Sequence, residues 1–254
     1  MTIRTVLVDA DVLVHRASVA AQSGIDWGDG VWSMYGDECI GKQVLDREFA
    51  TISTRFPQAE VVACLSDRGG NWRKVLESTY KANRTAPKPL VYGTLVDYVR
   101  VAHRPCVWWD DMEADDVMGV LATGKKAQGA LILSPDKDLD QIPCHHLKSP
   151  RAEDDVYSIG PKTADMNHLV QALAGDSTDG VPGCPGAGPK TAARMLAPYL
   201  EGEMDASQAW QTVVSAYRKK GLGEKEAVLT ARLVRVLREG EVVDGAPVLW
   251  GPPS

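Results

Sequence analysis

The acidic residues of this chain fall where they can do chemistry together. Asp9 and Asp11 follow an apolar run at residues 5–8, Asp67 follows 61–65, and Asp110, Asp111, Glu113, Asp115 and Asp116 follow 105–109. Asp136 and Asp138 follow 130–134. Each run is short, apolar and bounded by polar residues, which reads as a buried strand. In an open parallel sheet the C-terminal strand ends share one edge, and ligands bind in its crevice. The acids therefore converge. Gathered carboxylates repel, and their pKa values climb unless cations neutralise them. Oxygen donors with no His or Cys among them suit Mg²⁺ or Mn²⁺ rather than zinc. Asp and Glu also cap helices and favour first turns, and for one acid alone capping is an equal reading. Four groups at one edge favour metal. A further pair, Asp176 and Asp179, supplies enough acids for two ions. Two divalent ions roughly 4 Å apart can activate water on one side of a phosphodiester and stabilise the leaving oxygen on the other.

The basic residues segregate. Between Asp67 and Pro89 lie Arg68, Arg73, Lys74, Lys81, Arg84 and Lys88, opposed only by Glu77. Trp72 and Tyr80 stand among them, so base stacking can join phosphate contact, with a solvated basic loop as the alternative. Gly183-Cys184-Pro185-Gly186-Ala187-Gly188-Pro189-Lys190-Thr191 approximates G-x-x-x-x-G-K-[ST]. Pro189 intrudes before Lys190, and the stretch follows a helix rather than a strand, so a nucleotide-binding P-loop is not indicated. A glycine hairpin between two helices fits better. Its N–H groups at Gly186 and Gly188, with the helix start at Lys190 and Thr191, can hold a phosphate; a plain turn is the alternative.

Strands are expected over residues 4–9, 61–65, 105–109, 130–134 and 156–158. Helices are expected over 12–21, 41–55 and 114–126, and a hairpin over 27–35 around Asp29-Gly30. This alternation implies an α/β fold with a largely parallel central sheet flanked by helices. Beyond it, helical periods cover 161–174, 191–200, 206–218 and 225–238, which places a boundary near 160. The 254 residues are 44% hydrophobic and 24% charged, an ordinary globular composition with ample length for a core. No apolar run approaches the roughly 20 residues of a membrane span, and Asp9 interrupts the start where a secretion signal would stay apolar. The expectation is a cytoplasmic protein with no membrane partner. Cys39, Cys64, Cys106, Cys144 and Cys184 are scattered, with no C-x-x-C pair, so neither a disulfide framework nor a zinc ribbon is indicated. The formal charge, 28 minus 34, is −6, which argues against nucleic-acid binding through bulk positive charge. The local basic segment matters more.

Several stretches recur together in a known family. They are Val8-Asp9-Ala10, Asp67 followed by Trp72-Arg73, Tyr80-Lys81-Ala82-Asn83-Arg84, and Glu113-Ala114-Asp115-Asp116. Ser134-Pro135-Asp136-Lys137-Asp138-Leu139 comes next, then Gly175-Asp176-Ser177-Thr178-Asp179-Gly180-Val181-Pro182-Gly183, continuing through the glycine hairpin to Ala192. In this order, over residues 5 to about 197, the chain resembles the 5′ nuclease family: flap endonucleases, the 5′ nuclease domain of bacterial DNA polymerase I, and phage 5′→3′ exonucleases. Its length looks like the phage or small bacterial members, and residues 231–238 are weakly similar to the ending of some phage members.

The resemblance implies a PIN-like catalytic domain over 1–160 with a basic gateway at about 68–104. A helical DNA-binding region over 161–254 would contain a helix-three-turn-helix at about 172–200. It places Asp9, Asp67, Glu113, Asp115, Asp116, Asp136, Asp138, Asp176 and Asp179 at the family's metal positions. It sets Lys81, Arg84 and Arg73 at catalytic positions, the first two against the scissile phosphate. Tyr80, Gly186, Gly188, Lys190 and Thr191 would bind DNA, and family members also hold a monovalent cation at the helix-three-turn-helix. The implied activity is hydrolysis of DNA phosphodiesters near 5′ ends, on duplexes with a 5′ flap or 5′ end, with two Mg²⁺ or Mn²⁺ ions. An RNA/DNA hybrid is a further expected substrate, and a monomer serving phage or bacterial replication or repair the expected form. Asp11 departs from the family, which has a small polar residue there. The stretch 85–104 is short and proline-bearing, so no large threaded arch is expected. A non-catalytic DNA-binding relative is disfavoured by the complete acidic set, and a PIN-like ribonuclease by the glycine hairpin with Asp176 and Asp179.

Overall fold

The computed structural model describes residues 2–125, 129–151 and 154–253. β1 (Thr5–Asp9) leads into α1 (Ala10–Ala20), a hairpin of β2 (Gln22–Asp26) and β3 (Trp32–Gly36), α2 (Glu38–Arg55) and β4 (Glu60–Cys64). Next come α3 (Trp72–Leu76), α4 (Tyr92–Ala102), β5 (Cys106–Val107), α5 (Ala114–Thr123) and β6 (Ala130–Leu133). A 3-10 turn at Lys137–Gln141 precedes β7 (His145–Leu147) and β8 (Tyr157–Ser158). The remainder is α6 (Pro161–Ala174), the short pair β9 (Gly175–Asp176) and β10 (Val181–Pro182), α7 (Pro189–Glu201), α8 (Ala206–Arg218), α9 (Glu224–Leu233), and a last pair, β11 (Val242–Val243) and β12 (Ala246–Pro247).

The main sheet runs β5-β4-β1-β6-β7-β8 and is parallel except for the antiparallel pairing of β8 with β7. Its central strands are buried on both faces, which is why they read as continuous apolar runs. Val6 and Val8 pack toward α1, α2 and α4, whereas Leu7 joins Val62, Ile132 and α5 on the other face. The chain adds β4 and β5 on one side of β1, then returns to add β6, β7 and β8 on the other. That reversal opens a crevice between the ends of β1 and β6. Ser134, just past β6, donates across it to Asp9 at 2.7 Å. Helices α6 to α9 enclose a separate core around Trp210 and Tyr217.

Several elements differ from the sequence reading, among them a strand of the main sheet, β7, and the short helix α3, neither of which was expected. The hairpin is real, but Asp29-Gly30 lies in its loop and its first strand is the polar Gln22–Asp26. A helix, α4, occupies Tyr92–Ala102 within the gateway stretch. The helix expected over 114–126 ends at Thr123, and residue 126 lies outside the described residues. The helix expected to reach 238 stops at Leu233, and residues 234–237 form a buried, non-helical strap. Tertiary acceptors take its amides: Val236 N–H donates to Gln141 at 3.3 Å and Leu237 N–H to Asp116 at 3.1 Å. Among the described residues no helix is long and apolar enough to cross a membrane.

Candidate active site

A cleft of about 450 Å³ opens at the crevice, lined by Asp9, Glu113, Asp115, Asp136, Asp138, Asp176 and Asp179 together with Lys81 and Arg84. Asp9 ends β1 and caps α1, accepting from Val12 N–H at 3.2 Å. Burial, reinforced by Asp11, pushes its carboxyl up to about 7. Asp115 stands in the first turn of α5, where burial and the charges of Asp9, Asp136 and Glu113 push it well above the ordinary range. Asp136 caps the 3-10 turn through Asp138 N–H at 2.9 Å. Burial takes Asp138 up to about 6, with Lys137 at 2.8 Å opposing the shift and Asp136 adding to it. Asp176 is lowered. Burial works against this, but hydrogen bonding with Asp138 and with the amides of Thr178 (2.8 Å) and Asp179 (3.3 Å) outweighs it.

The facing wall carries its own cations. Lys81 pairs with Glu113 and lies 3.5 Å from Asp179, which Arg84 also contacts. The Tyr80 hydroxyl sits 2.9 Å from both Glu113 Oε2 and Asp179 Oδ2. Burial alone would raise Glu113, yet Arg73 and Lys81 hold it down at about 2. Lys81 has φ +57°, a left-handed conformation that side chains other than glycine adopt at a cost, and its N–H donates to Asp179 O at 2.8 Å. The strained turn aims its ammonium into the cleft.

Other expected residues lie elsewhere. Asp116 is fully buried and accepts from Arg73 at 2.6 and 2.8 Å, from the Trp72 indole at 3.0 Å and from Leu237 N–H, so it has no face toward the cleft. Arg73 is 3% exposed, and its other N–H groups go to Leu233 O at 2.9 Å, Arg235 O and Glu113 at 3.1 Å. With all five donors engaged, it buttresses Glu113 and has no N–H left to turn into the cleft. Asp67 caps its own loop, accepting from Arg68 N–H (2.7 Å), Gly70 N–H (3.0 Å) and Asp111 N–H (3.0 Å). These amides, Asp111's foremost, lower its pKa. A Cβ at Gly70 would fall 1.5 Å from Asp111 Oδ1, so the loop closes only around glycine. Asp67 borders a neighbouring groove of about 610 Å³ that also holds Arg16, Arg68, Lys74 and Lys88 and shares Lys81 and Arg84 with the cleft. Tyr80 is 2% exposed with its ring in the helical core, and Trp72 is buried, so neither offers a face to a base.

Gly186, Gly188 and Lys190 are exposed and Thr191 half-buried, all outside the cleft at the start of α7, which no side chain caps. Gly175 holds the hairpin before them at φ +73°, with Gly183 N where a Cβ would be 2.3 Å away. Lys220 adds a cation there, its ammonium 3.7 Å from where a Gly186 Cβ would stand. Missed by sequence reasoning were Ser134, Gln141 and Gln171, which show no local signal. Asp11 does line the cleft, accepting from Ser66 N–H at 3.0 Å and facing the Tyr92 hydroxyl at 3.3 Å.

The N-terminal resolvase-like domain of 5′-3′ exonucleases matches residues 4–164. The chain belongs to the 5′-3′ exonuclease family. The exodeoxyribonuclease of Enterobacteria phage T3 is 30% identical across 98% of this chain and 93% of its own length. A Shewanella baltica flap endonuclease, Xni, is 30% identical over 70% of this chain and 75% of that protein. Among solved structures, T5 5′-exonuclease with bound divalent metal ions (zinc) superposes with TM-score 0.60 at 12% identity, covering 91% of this chain and 89% of that one. That likeness is one of fold. In this 5′-3′ exonuclease family member, the cleft is where the acids of both halves of the chain meet the cations of the basic segment.

Proposed function

We propose that the chain is a structure-selective 5′ nuclease that hydrolyses DNA phosphodiesters near 5′ ends with two divalent ions, Mg²⁺ or Mn²⁺, in the acidic cleft. The observation that carries this reading is one cleft lined by seven of the expected acids with Lys81 and Arg84 on its wall. A full-length relationship to an exodeoxyribonuclease supports it. The donor set fits. Asp9, Asp115 and Asp138 are all raised by burial and crowding, a condition divalent cations relieve. Among the described residues no three acids gather tightly enough to enclose an ion. Mg²⁺ suits such a cleft, because it keeps several waters and binds through one or two carboxylates plus substrate phosphate. Bound there, the ions would neutralise the phosphodiester and activate the attacking water.

The chain's own groups do the rest. Lys81 and Arg84, now paired with Glu113 and Asp179, would turn to the scissile phosphate and stabilise charge developing on it. Arg73 and Asp116 hold Glu113 and α5 in place from behind. The groove with Arg16, Arg68, Lys74 and Lys88 would take the strand beyond the cut, as part of a gateway over about 68–104. Gly186, Gly188, Lys190 and Thr191, in a helix-three-turn-helix over about 172–200, would grip duplex backbone and hold a monovalent cation. On this reading residues 1–160 catalyse and 161–254 bind DNA.

The test is product mapping on 5′-labelled and 3′-labelled flap, nicked and blunt duplexes, with Mg²⁺ and with EDTA. Cuts at or near the 5′ end that leave 5′-phosphates and vanish in EDTA are expected. EDTA-resistant or 3′-directed cleavage would overturn the reading. Under single-turnover conditions at saturating DNA, Lys81→Ala should lose about 10²–10³ in rate with DNA affinity little changed.

A further inference from the structure

The strap at residues 234–237 supports the acidic cleft without lining it, and two glutamines carry the support. Gln141 closes the 3-10 turn that bears Asp138 and is 1% exposed. Its Oε1 accepts from Val236 N–H at 3.3 Å, and its Nε2 donates to Val234 O at 2.7 Å and to Gln171 Oε1. Gln171, half-buried on α6, donates in turn to Asp176 Oδ2 at 3.2 Å and lies near enough to Asp138 to help hold that carboxyl down.

The direction of this chain of bonds is imposed from the strap. Val236 N–H can only donate and Val234 O can only accept, so the Gln141 amide has one allowed orientation. Gln141 therefore presents N–H to Gln171, which must answer with its carbonyl. The Gln171 NH₂ is left facing the two carboxylates. Were Gln141 absent, the Gln171 amide could turn its carbonyl toward them and repel them.

We propose that the strap, through Gln141 and Gln171, positions Asp138 and Asp176 for a divalent ion, which makes both glutamines positioning residues of the nuclease reaction. This rests on the metal-dependent reading above. The relay joins the last helix's extension to acids from both halves of the chain. Val234 packs in the helical core and Val236 and Leu237 in the core on the α5 face of the sheet, so the strap end of the relay is held in place.

The test compares full-length Gln141→Leu, Gln171→Leu, their double variant and Gln171→Glu. Each is assayed for Mg²⁺ affinity by calorimetry, single-turnover rate at saturating DNA, DNA affinity in Ca²⁺, and Tm. Each single variant should lose roughly 10- to 100-fold in metal affinity and in saturated rate, with DNA affinity unchanged. The double variant should be no worse than the poorer single one, because the relay acts as a unit. Gln171→Glu keeps the shape and, ionised at about pH 9, cannot donate, so at that pH its saturated rate should be as defective as that of Gln171→Leu. Additive losses, or a lower Tm with metal affinity and saturated rate intact, would overturn the proposal. If Gln141→Leu does not fold, Gln171→Glu against wild type decides alone. A wild type that cleaves without metal would sink the parent reading, whereas the affinity comparison still judges the relay.

Discussion

Glu113 and Asp9 line the same cleft, and both are largely buried, yet their carboxyls move in opposite directions. Glu113 meets Arg73 and Lys81 and is held at about 2 despite its burial. Asp9, with burial the main cause and Asp11 and Asp136 adding to it, rises to about 7, Asp138 to about 6, and Asp115 well above its ordinary value. One wall is neutralised by the protein's own cations. The other holds carboxyls that must take up protons or be neutralised by an added cation. The difference shows that a row of acids does not locate a metal site until one knows which of them the fold has already paired.

The largest way to break this contrast is to strand the buttress. Asp116→Ala would strip the buried Arg73 guanidinium of its bidentate partner, leaving Glu113 as its one remaining carboxylate among the described residues, and should lower stability by about 3–5 kcal/mol, read by urea unfolding. An unchanged midpoint would mean that the neutralised wall is not built by that pair. On the opposite wall, Asp138→Asn should cut turnover by roughly 10²–10³ while leaving the Tm of the metal-free protein equal or higher, since a crowded charge has gone. A fall in Tm alongside normal turnover would reverse the assignment of the two walls.

Stability against pH sharpens the comparison. A carboxyl raised by folding binds its proton more tightly than in the unfolded chain, so its contribution is complete below its ordinary value and lost as pH rises through the folded value. For Asp9 that window runs from 3.8 to about 7. Glu113 has the opposite sign, contributing above 4.5 and losing that contribution as pH falls toward about 2. Metal-free Tm should therefore decline in both windows, with Asp9→Asn flattening the upper slope and Glu113→Gln the lower. Mg²⁺ should restore Tm at pH 7 and have little effect at pH 3. The smallest effect belongs to neither wall. Lys190→Ala, outside the cleft, should lower the slope of log K against log salt for duplex binding by about 1 and leave the saturated rate alone.

Much of this was legible locally. Period and flanking residues place α6 at Pro161–Ala174 and α8 at Ala206–Arg218, and the apolar runs mark β1, β4 and β6 to within a residue at each end. Because parallel strands end at one edge, the convergence of Asp9, Asp115, Asp136 and Asp138 also followed from the sequence. The polar strand β2, the helix α4 and the strap did not, since their patterns are shared by loops and helices that never form.

What the sequence by itself determined was the central part of the sheet, β1, β4 and β6, with its acidic edge and the family stretches, all set by spacing along the chain. What only the tertiary structure decided was the division of labour among like residues. Asp116 and Asp115 are adjacent, yet one faces Arg73 and the other the cleft. Tyr80 and Trp72 turn inward, and Arg73 binds carbonyls 160 and 162 residues away. A carboxylate becomes a structural partner or a free ligand according to which groups reach it through space, and those groups come from distant parts of the chain.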